Sequence, residues 1–150
     1  MKEFDVVIIG AGPGGYVAAI RGSQMGAKVA VIERDKVGGT CLNRGCIPTK
    51  ALYYSAGALA GARHASDFGV NVGEVSFDLA KAVERKDGVV KKLVGGVEQL
   101  LKGNGVEVIR GDGYVEAPGR VRVTGANGVE AVGAKSIIIA TGSEPAMIPA

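Results

Sequence analysis

The fold is decided by residues 4–33, FDVVIIGAGPGGYVAAIRGSQMGAKVAVIE. The run Phe4–Ile9 is rich in β-branched residues and too short for a helix, which predicts a buried strand. After a glycine turn, residues 16–25 have apolar side chains at helical spacing, and Gly26 follows where a left-handed C-terminal cap is expected. Residues 28–32 then predict a second strand. Strand, helix and strand form a βαβ unit, which implies parallel strands joined by a right-handed crossover.

The turn GAGPGG, the glycine loop of residues 10–15, has the pattern G-x-G-x-x-G between the predicted strand and helix. In this pattern Gly10 makes the tight turn, Gly12 lets a pyrophosphate approach the backbone, and Gly15 lets the helix pack closely on the strand. The loop therefore predicts a dinucleotide site on a Rossmann-like fold, with the phosphates at the positive end of the helix.

An acidic residue stands at the end of the second predicted strand. Glu33 lies 18 residues after Gly15, where a carboxylate can accept hydrogen bonds from an adenosine ribose. The alternative is a solvated residue at a strand end. An acid at this place disfavours a 2′-phosphate through like-charge repulsion, but the loop and the acid do not distinguish FAD from NAD.

The remainder of the chain continues the α/β pattern. Residues 51–62 predict the continuation of a helix that begins near the cysteines, and residues 76–102 predict a longer helix whose apolar stripe we interpret as packed on the sheet. Short alternating runs at 106–109, 120–124 and 129–132 then indicate a strand and an antiparallel excursion, and residues 136–140 indicate a closing parallel strand. The expected fold class is α/β, with a parallel sheet, crossover helices and a small antiparallel β excursion.

Composition and charge limit the function classes. A chain of 150 residues has the size of one domain. The formal net charge is only +3, and the basic residues are spread out, which excludes the Lys/Arg stripe that nucleic acid or anionic lipid requires. No signal peptide is visible, and the apolar runs are far shorter than the roughly 20 residues of a membrane span. We therefore expect a soluble, cytoplasmic protein.

Both cysteines of the chain lie in GGTCLNRGCIPTK, residues 38–50. In an ideal α-helix a five-residue step leaves two Cα atoms about 8.6 Å apart, whereas a disulfide needs them within about 7 Å. A bridge between Cys41 and Cys46 thus requires an irregular helix start, which Gly45 and Pro48 permit. The alternatives are two inert buried thiols or a zinc site, but zinc wants four ligands and the sole histidine, His64, lies well downstream.

We favour a redox-active disulfide over those alternatives. A close pair of cysteines in a reducing compartment is more often catalytic or redox-active than a structural staple. A thiolate near a helix N-terminus is also stabilised by the helix dipole, which lowers its pKa and makes it a better leaving group in exchange.

These motifs together resemble a known family. The stretches GAGPGGYVAAIRG, Glu33, GGTCLNRGCIPTK and IIIATGSEP are similar to the N-terminal flavin domain of the pyridine nucleotide-disulfide oxidoreductases. The variant CLNRGCIPTKAL most resembles the dihydrolipoamide-oxidising branch, since it has Leu42 and Ile47 where the glutathione and mercuric reductases favour valine.

The resemblance implies a flavin held between a disulfide on one ring face and NAD on the other. Cys41 would be the interchange thiol that reacts with the dithiol substrate, and Cys46 would pass electrons to the flavin. Lys50 would stabilise the negative charge of the reduced ring near N5; the alternative is an ordinary exposed lysine. The cofactor-binding residues that the resemblance implies, besides Lys50, are Gly10, Gly12, Pro13, Gly14, Gly15, Glu33, Gly39, Thr40, Gly113, Thr141 and Gly142.

For the whole protein the resemblance implies an FAD-dependent homodimer that oxidises dihydrolipoamide on lipoyl domains with NAD⁺, as the shared subunit of 2-oxoacid dehydrogenase complexes. Residues 1–150 correspond to the N-terminal FAD-binding domain, and the family's NAD domain, returning FAD segment and dimerisation domain lie outside them. We expect residues 1–150 alone to bind FAD weakly and not to turn over. The alternatives are a cofactor-binding module without activity, or a sibling such as mercuric or glutathione reductase. His64 matches no family residue and has no predicted role.

Overall fold

The computed structural model describes residues 1–144 and 146–148. Its first 103 residues contain two strands and four helices, and the other strands follow. A 3₁₀ turn at Ala65–Phe68 separates the third and fourth helices. The elements are β1 (Lys2–Ile9), α1 (Pro13–Gln24), β2 (Val29–Glu33), α2 (Gly39–Asn43), α3 (Cys46–Arg63), α4 (Leu79–Gly103), β3 (Glu107–Arg110), β4 (Asp112–Ala117), β5 (Arg120–Gly125) and β6 (Gly128–Ile139).

The strands form one sheet in the order β3-β2-β1-β6-β5-β4. β1 pairs in parallel with β2 and β6, and β2 pairs in parallel with β3, so the predicted βαβ unit is confirmed. β-branched side chains on both faces of these strands are buried, as in Val7, Ile8 and Ile32. Burial on both faces explains why the strands read as continuous apolar runs.

Two apolar layers cover the two faces of the parallel strands. On one face Val7 and Ile32 pack with Val121 and Val132 from the antiparallel strands. On the other face Ile8 and its neighbours pack with residues of α1 and α4. The parallel strands β1 and β2 therefore lie between the helices and the antiparallel part of the same sheet, and the carboxyl ends of β1, β2 and β6 lie at one edge.

The antiparallel excursion differs from its prediction in two ways. The runs at 129–132 and 136–140 form one continuous strand, β6, in which Gly133 pairs with Glu3 of β1 and with Arg120 of β5. This glycine does not interrupt the strand. The strand β4 was not predicted, because its side chains are mostly exposed and carry little apolar pattern.

The long helix α4 is confirmed, but its apolar stripe is packed on the sheet only in part. Its first turn is capped by Asp78, whose carboxylate accepts a hydrogen bond from the backbone N–H of Lys81 at 3.1 Å. Leu101 is fully buried and Val97 packs beside it, whereas Leu79 is 63% exposed. The prediction that the whole stripe packs on the sheet is therefore wrong for the first turns.

The shorter helices follow local signals. α1 begins at Pro13, three residues earlier than predicted, because proline is well suited to the first helical position. Gly26 adopts φ +89° after the helix, as the predicted left-handed cap requires. α3 begins at Cys46, which confirms a helix starting near the cysteines.

Within the described residues, none of the helices combines the length and the apolar character that crossing a membrane requires.

Candidate functional site

The glycine loop has no room for side chains at two of its positions. A Cβ on Gly15 would lie 1.8 Å from the carbonyl oxygen of Gly10, so any other residue would push α1 off the end of β1. Gly10 has φ +102°, and a Cβ on it would lie 2.3 Å from the carbonyl oxygen of Ala140. This geometry matches the predicted packing role of Gly15 and the turn role of Gly10. It adds that the loop abuts the end of β6.

Glu33 is buried and not the solvated strand-end residue of the alternative reading. Its side-chain oxygens accept hydrogen bonds from the backbone N–H groups of Ala11 and Asp35, each at 2.8 Å. The carboxylate thus fixes the glycine loop against the end of β2. A carboxylate offers about four lone-pair sites, so acceptor capacity remains for a ribose hydroxyl.

The cysteine segment, residues 38–46, lies directly against the glycine loop. The N–H of Gly38 donates to the carbonyl of Ala11 at 2.8 Å. Gly39 has φ +56°, and a Cβ on it would lie only 2.8 Å from the Cα of Gly12. The two backbones therefore touch, and both predicted cofactor-binding glycines line the same contact.

The helix is interrupted between the two cysteines, as the prediction requires. α2 ends at Asn43 and α3 starts at Cys46. The break is closed by the carbonyl of Thr40, which accepts the N–H groups of Arg44 at 2.8 Å and Gly45 at 2.7 Å. A Cβ on Gly45 would approach that carbonyl oxygen to 3.2 Å, which favours glycine at this position.

The two sulfur groups are brought into contact as free thiols. Cys41 is half-buried and Cys46 is exposed. The hydrogen bond between them raises the pKa of Cys41, and burial and the charge of Cys46 act in the same direction. The positive charge of Lys50 lowers the pKa of Cys41 as a smaller effect.

The expected dipole effect therefore does not govern Cys41. The backbone N–H of Cys46, at the start of α3, does lower the pKa of Cys41, but by less than the side-chain hydrogen bond, burial and charge that raise it. Cys46 is the first residue of α3, which is the position that the dipole argument describes.

The remaining predicted residues are distributed as follows. Lys50 is exposed on α3, one turn after Cys46. Thr141 and Gly142 follow β6, where the Cα of Thr141 would lie 3.1 Å from a Cβ on Gly10. Pro13 and Gly14 open α1, beside the loop. These residues join the site that the glycine loop and the cysteine segment form.

Gly113 stands apart from this group. It lies in β4, where a Cβ would come within 3.0 Å of Ile9 and 3.2 Å of Ile32. Packing of the hairpin on the sheet already accounts for a glycine here. Its contact with a cofactor stays a prediction.

His64 lies outside the site, on the surface after α3. Its Nδ1 stands 3.8 Å from a carboxylate oxygen of Asp67, and both side chains are largely exposed. Within residues 1–144 and 146–148, no three His, Cys, Asp or Glu side chains come together as a metal site.

Sequence reasoning missed two residues at the site. Arg44, between the cysteines, forms an ion pair with Asp35, in which Nη2 lies 2.5 Å from Oδ2. The hydrogen bond from Arg44 holds the pKa of Asp35 below its usual range, against the effect of burial. The available signal was a charged side chain inside the cysteine motif, but its partner lies in the loop after β2 and could not be identified from spacing alone.

The site fits a dinucleotide. The first turn of α1 has no side-chain cap and no acidic residue, so its amide end is free to meet an anion. Gly12 leaves the backbone bare beside that helix end, and Glu33 offers a carboxylate at the end of the adjacent strand. The cysteine pair lies on the neighbouring segment, which is where a redox cofactor could exchange electrons with it.

Comparisons with known proteins agree with this geometry. Residues 4–150 match the family model described as pyridine nucleotide-disulphide oxidoreductase. The chain is 51% identical over 149 residues to a dihydrolipoyl dehydrogenase of Acholeplasma laidlawii, covering 99% of the chain and 43% of the relative. It is 52% identical over 145 residues to the dihydrolipoyl dehydrogenase of Thermus scotoductus, covering 97% of the chain and 30% of the relative.

A solved structure is also similar. The HOCl-induced flavoprotein disulfide reductase RclA of Escherichia coli, in its Cu(II) complex, superposes with a TM-score of 0.81 at 30% identity, over 99% of this chain and 31% of that one. The chain thus spans less than half the length of these relatives. The family match over nearly all of its residues, together with the glycine loop and the cysteine pair, shows that the chain belongs to the pyridine nucleotide-disulphide oxidoreductases.

Proposed function

We propose that this chain is the N-terminal FAD-binding domain of a dihydrolipoyl (dihydrolipoamide) dehydrogenase, which oxidises dihydrolipoamide to lipoamide with NAD⁺. The observation that carries the proposal is the contact between Cys41 and Cys46 at a helix break, next to a glycine loop fit for a dinucleotide. The names of the similar proteins support the choice of substrate.

The chemistry assigned to the chain's own residues is thiol–disulfide exchange. In the oxidised protein a substrate thiolate attacks the sulfur of Cys41, the Cys41–Cys46 bond breaks, and Cys46 leaves as a thiolate. The second thiolate of the substrate then attacks the substrate sulfur that is bonded to Cys41. A disulfide forms within the substrate, and Cys41 is released as a thiolate. The substrate loses two electrons and two protons and becomes a cyclic disulfide, while the cysteine pair gains two electrons.

The remaining residues hold the reacting groups. Glu33 and the glycine loop would bind the ADP part of FAD, and Gly39 and Thr40 would lie along its phosphates. FAD, when bound, supplies the two-electron acceptor that links the thiols to NAD⁺. Lys50 provides a positive charge one turn after Cys46, and this charge already favours the thiolate of Cys41.

The proposal extends to the whole protein. We place NAD binding and dimerisation in parts of the protein beyond residues 1–150, and we assign the protein to a 2-oxoacid dehydrogenase complex in the cytoplasm, acting on lipoyl domains as a homodimer. The sibling reactions, reduction of glutathione disulfide or of Hg(II), remain as the alternative because they would use the same cysteine pair.

The test uses the full-length protein that contains this chain. We expect NADH formation from dihydrolipoamide and NAD⁺, and its loss by at least about 10³-fold in Cys41→Ser and in Cys46→Ser. Tyr53→Phe, on the exposed face of α3, is the control and should retain wild-type activity. Full activity in either cysteine variant would overturn the mechanism. A preference for glutathione disulfide or Hg(II) would instead assign the protein to the alternative.

A second test concerns residues 1–150 expressed alone. We expect them to retain flavin weakly, because part of the flavin contacts lies in the rest of the protein, and to form no NADH. The visible spectrum after gel filtration measures the retained flavin. Saturated flavin and turnover at the rate of the whole enzyme would contradict the assignment of these residues to one domain of a larger protein.

A further inference from the structure

Arg44 occupies the break between the two cysteines and reaches out of it. Arg44 is the C-cap residue of α2 and has the non-helical backbone angles φ −133° and ψ −13°. Its guanidinium forms the 2.5 Å ion pair with Asp35, nine residues earlier in the chain. The break that sets the separation of the cysteines is therefore attached to the loop after β2.

Asp35 is itself fixed on both sides. Its N–H donates to Oε1 of Glu33 at 2.8 Å, and its carbonyl accepts from Nη1 of Arg110 at 3.0 Å. The other oxygen of Glu33 accepts from the N–H of Ala11 in the glycine loop. A continuous path of hydrogen bonds thus runs from Arg44 through Asp35 and Glu33 to the glycine loop.

Few other contacts hold the break. Its two N–H groups share the single carbonyl of Thr40. Asn43 anchors the end of α2, since its side-chain amide donates to the carbonyls of Val37 and Gly39, each at 3.0 Å. That tether ends one residue before the break, so among the described residues the side-chain contacts of residues 44–46 are this ion pair and the interaction of Cys46 with Cys41.

We propose that Arg44 is a positioning residue: through its ion pair with Asp35 it holds the break in the geometry that keeps Cys41 and Cys46 within bonding reach. The proposal rests on the proposed function, because it assigns the pair the task of forming a disulfide. Without Arg44 the break samples more conformations, the two thiols meet less often, and the equilibrium shifts from disulfide to dithiol.

The solvent exposure of Arg44 and Asp35 limits how far their ion pair can shift the thiol–disulfide equilibrium. The Arg44 side chain is 60% exposed and that of Asp35 is 44% exposed. Ion pairs of this kind contribute little and are screened by salt. We therefore expect a tuning of the thiol–disulfide equilibrium by about two- to fivefold, with the fold and the flavin content retained.

The experiment measures the thiol–disulfide equilibrium of the full-length protein in glutathione buffers, with alkylation to trap the thiols. Two glutathione molecules are oxidised for each Cys41–Cys46 bond that is reduced, so the balance is defined. We expect Arg44→Gln and Asp35→Asn each to favour the dithiol by about two- to fivefold, Arg44→Lys by less, and the double variant by no more than either single variant.

Two controls separate the ion pair from a general loss of structure. Arg63→Gln removes a similar charge from the end of α3 and should leave the equilibrium unchanged. In about 1 M NaCl, where the Debye length is about 3 Å, the difference between wild type and Arg44→Gln should shrink. If Arg44→Gln does not fold, Asp35→Asn alone tests the same contact.

The outcomes distinguish the two proposals. If the wild type forms the disulfide and neither Arg44→Gln nor Asp35→Asn shifts its equilibrium, the positioning role is wrong while the proposed function stands. Additive effects in the double variant would equally overturn it. If the wild-type protein forms no Cys41–Cys46 disulfide in any buffer, the proposed function itself is wrong.

Discussion

The glycine loop and the cysteine segment touch each other, yet different forces hold them. In the glycine loop backbone atoms pack so closely that a single Cβ at Gly15 would meet a carbonyl oxygen at 1.8 Å. In the cysteine segment two N–H groups of the break share one carbonyl, and Arg44 beside it forms an ion pair that is largely exposed to solvent. The glycine loop has no room for a side chain at Gly10 or Gly15, whereas the break between the cysteines is flanked by a contact that a substitution can weaken without a steric clash.

The strongest test of this contrast is Gly15→Ala. The added Cβ must displace α1 or the end of β1, and we expect a destabilisation of about 3 kcal/mol, with loss of flavin retention. Thermal unfolding and the visible spectrum of the full-length protein measure the two effects. The matched control is Gly57→Ala on α3, where nothing lies within 4 Å of the new Cβ; it should be neutral or stabilising by up to about 1 kcal/mol. Equal stability of the two variants would remove the steric half of the contrast.

A second test concerns the carboxylate that joins the loop to β2. Glu33→Ala leaves the N–H of the fully buried Ala11 without its partner, and that of Asp35 loses its acceptor as well. We expect a loss of about 1–3 kcal/mol. Glu33→Gln keeps one acceptor oxygen and should lose less. Denaturant unfolding of the two variants gives the comparison, and an alanine variant as stable as wild type would show that these bonds do not hold the loop.

On the cysteine segment we expect changes in reactivity without unfolding. Cys46→Ala removes the hydrogen bond and the charge that raise the pKa of Cys41, so the pKa of Cys41 should fall. Lys50→Gln removes a nearby positive charge, so the pKa of Cys41 should rise, by less. The pH profile of Cys41 alkylation in the reduced full-length protein measures both. Shifts in the same direction for the two variants would contradict this assignment of causes.

The smallest effect is expected far from both regions, at an ion pair between Lys135 and Asp5. The hydrogen bond and charge of Lys135 lower the pKa of Asp5, and Asp5 raises the pKa of Lys135. The pair therefore stabilises the folded state at intermediate pH; its contribution falls away as the pH drops through the lowered pKa of Asp5 or climbs through the raised pKa of Lys135.

We expect Lys135→Ala to unfold at a slightly lower temperature than wild type near neutral pH, and the two to converge in acid. Because both side chains are exposed, salt should reduce the difference. Thermal unfolding at several pH values is the measurement. A difference that grows as the pH falls would have the wrong sign for this pair.

Sequence reasoning succeeded where a local rule fixes the outcome. The strands β1 and β2, the turn at Gly10 and the helix break near Gly45 all follow from residues within a few positions of each other. Their physical causes are β-branching, positive φ and proline or glycine at helix ends. The same locality made the glycine loop and the cysteine pair recognisable.

The failures are non-local. The sequence predicts separate strands at 129–132 and 136–140, because their joining into β6 depends on pairing with β1, where Glu3 lies opposite Gly133, 130 residues away in the chain. The strand β4 lacks an apolar pattern because only one of its faces, at Gly113, packs on the sheet. The ion pair of Arg44 and Asp35 joins two loops whose proximity depends on the completed fold.

The backbone contact between Gly12 and Gly39 has a thermodynamic consequence. Because neither position has a side chain, the two backbones lie in direct contact. Linkage is reciprocal. If a bound nucleotide changes the thiol–disulfide equilibrium by a given factor, reduction of the disulfide changes the affinity for the nucleotide by the same factor. Under the proposed function, this linkage would join the affinity for the nucleotide to the redox state of Cys41 and Cys46 across the contact of Gly12 with Gly39.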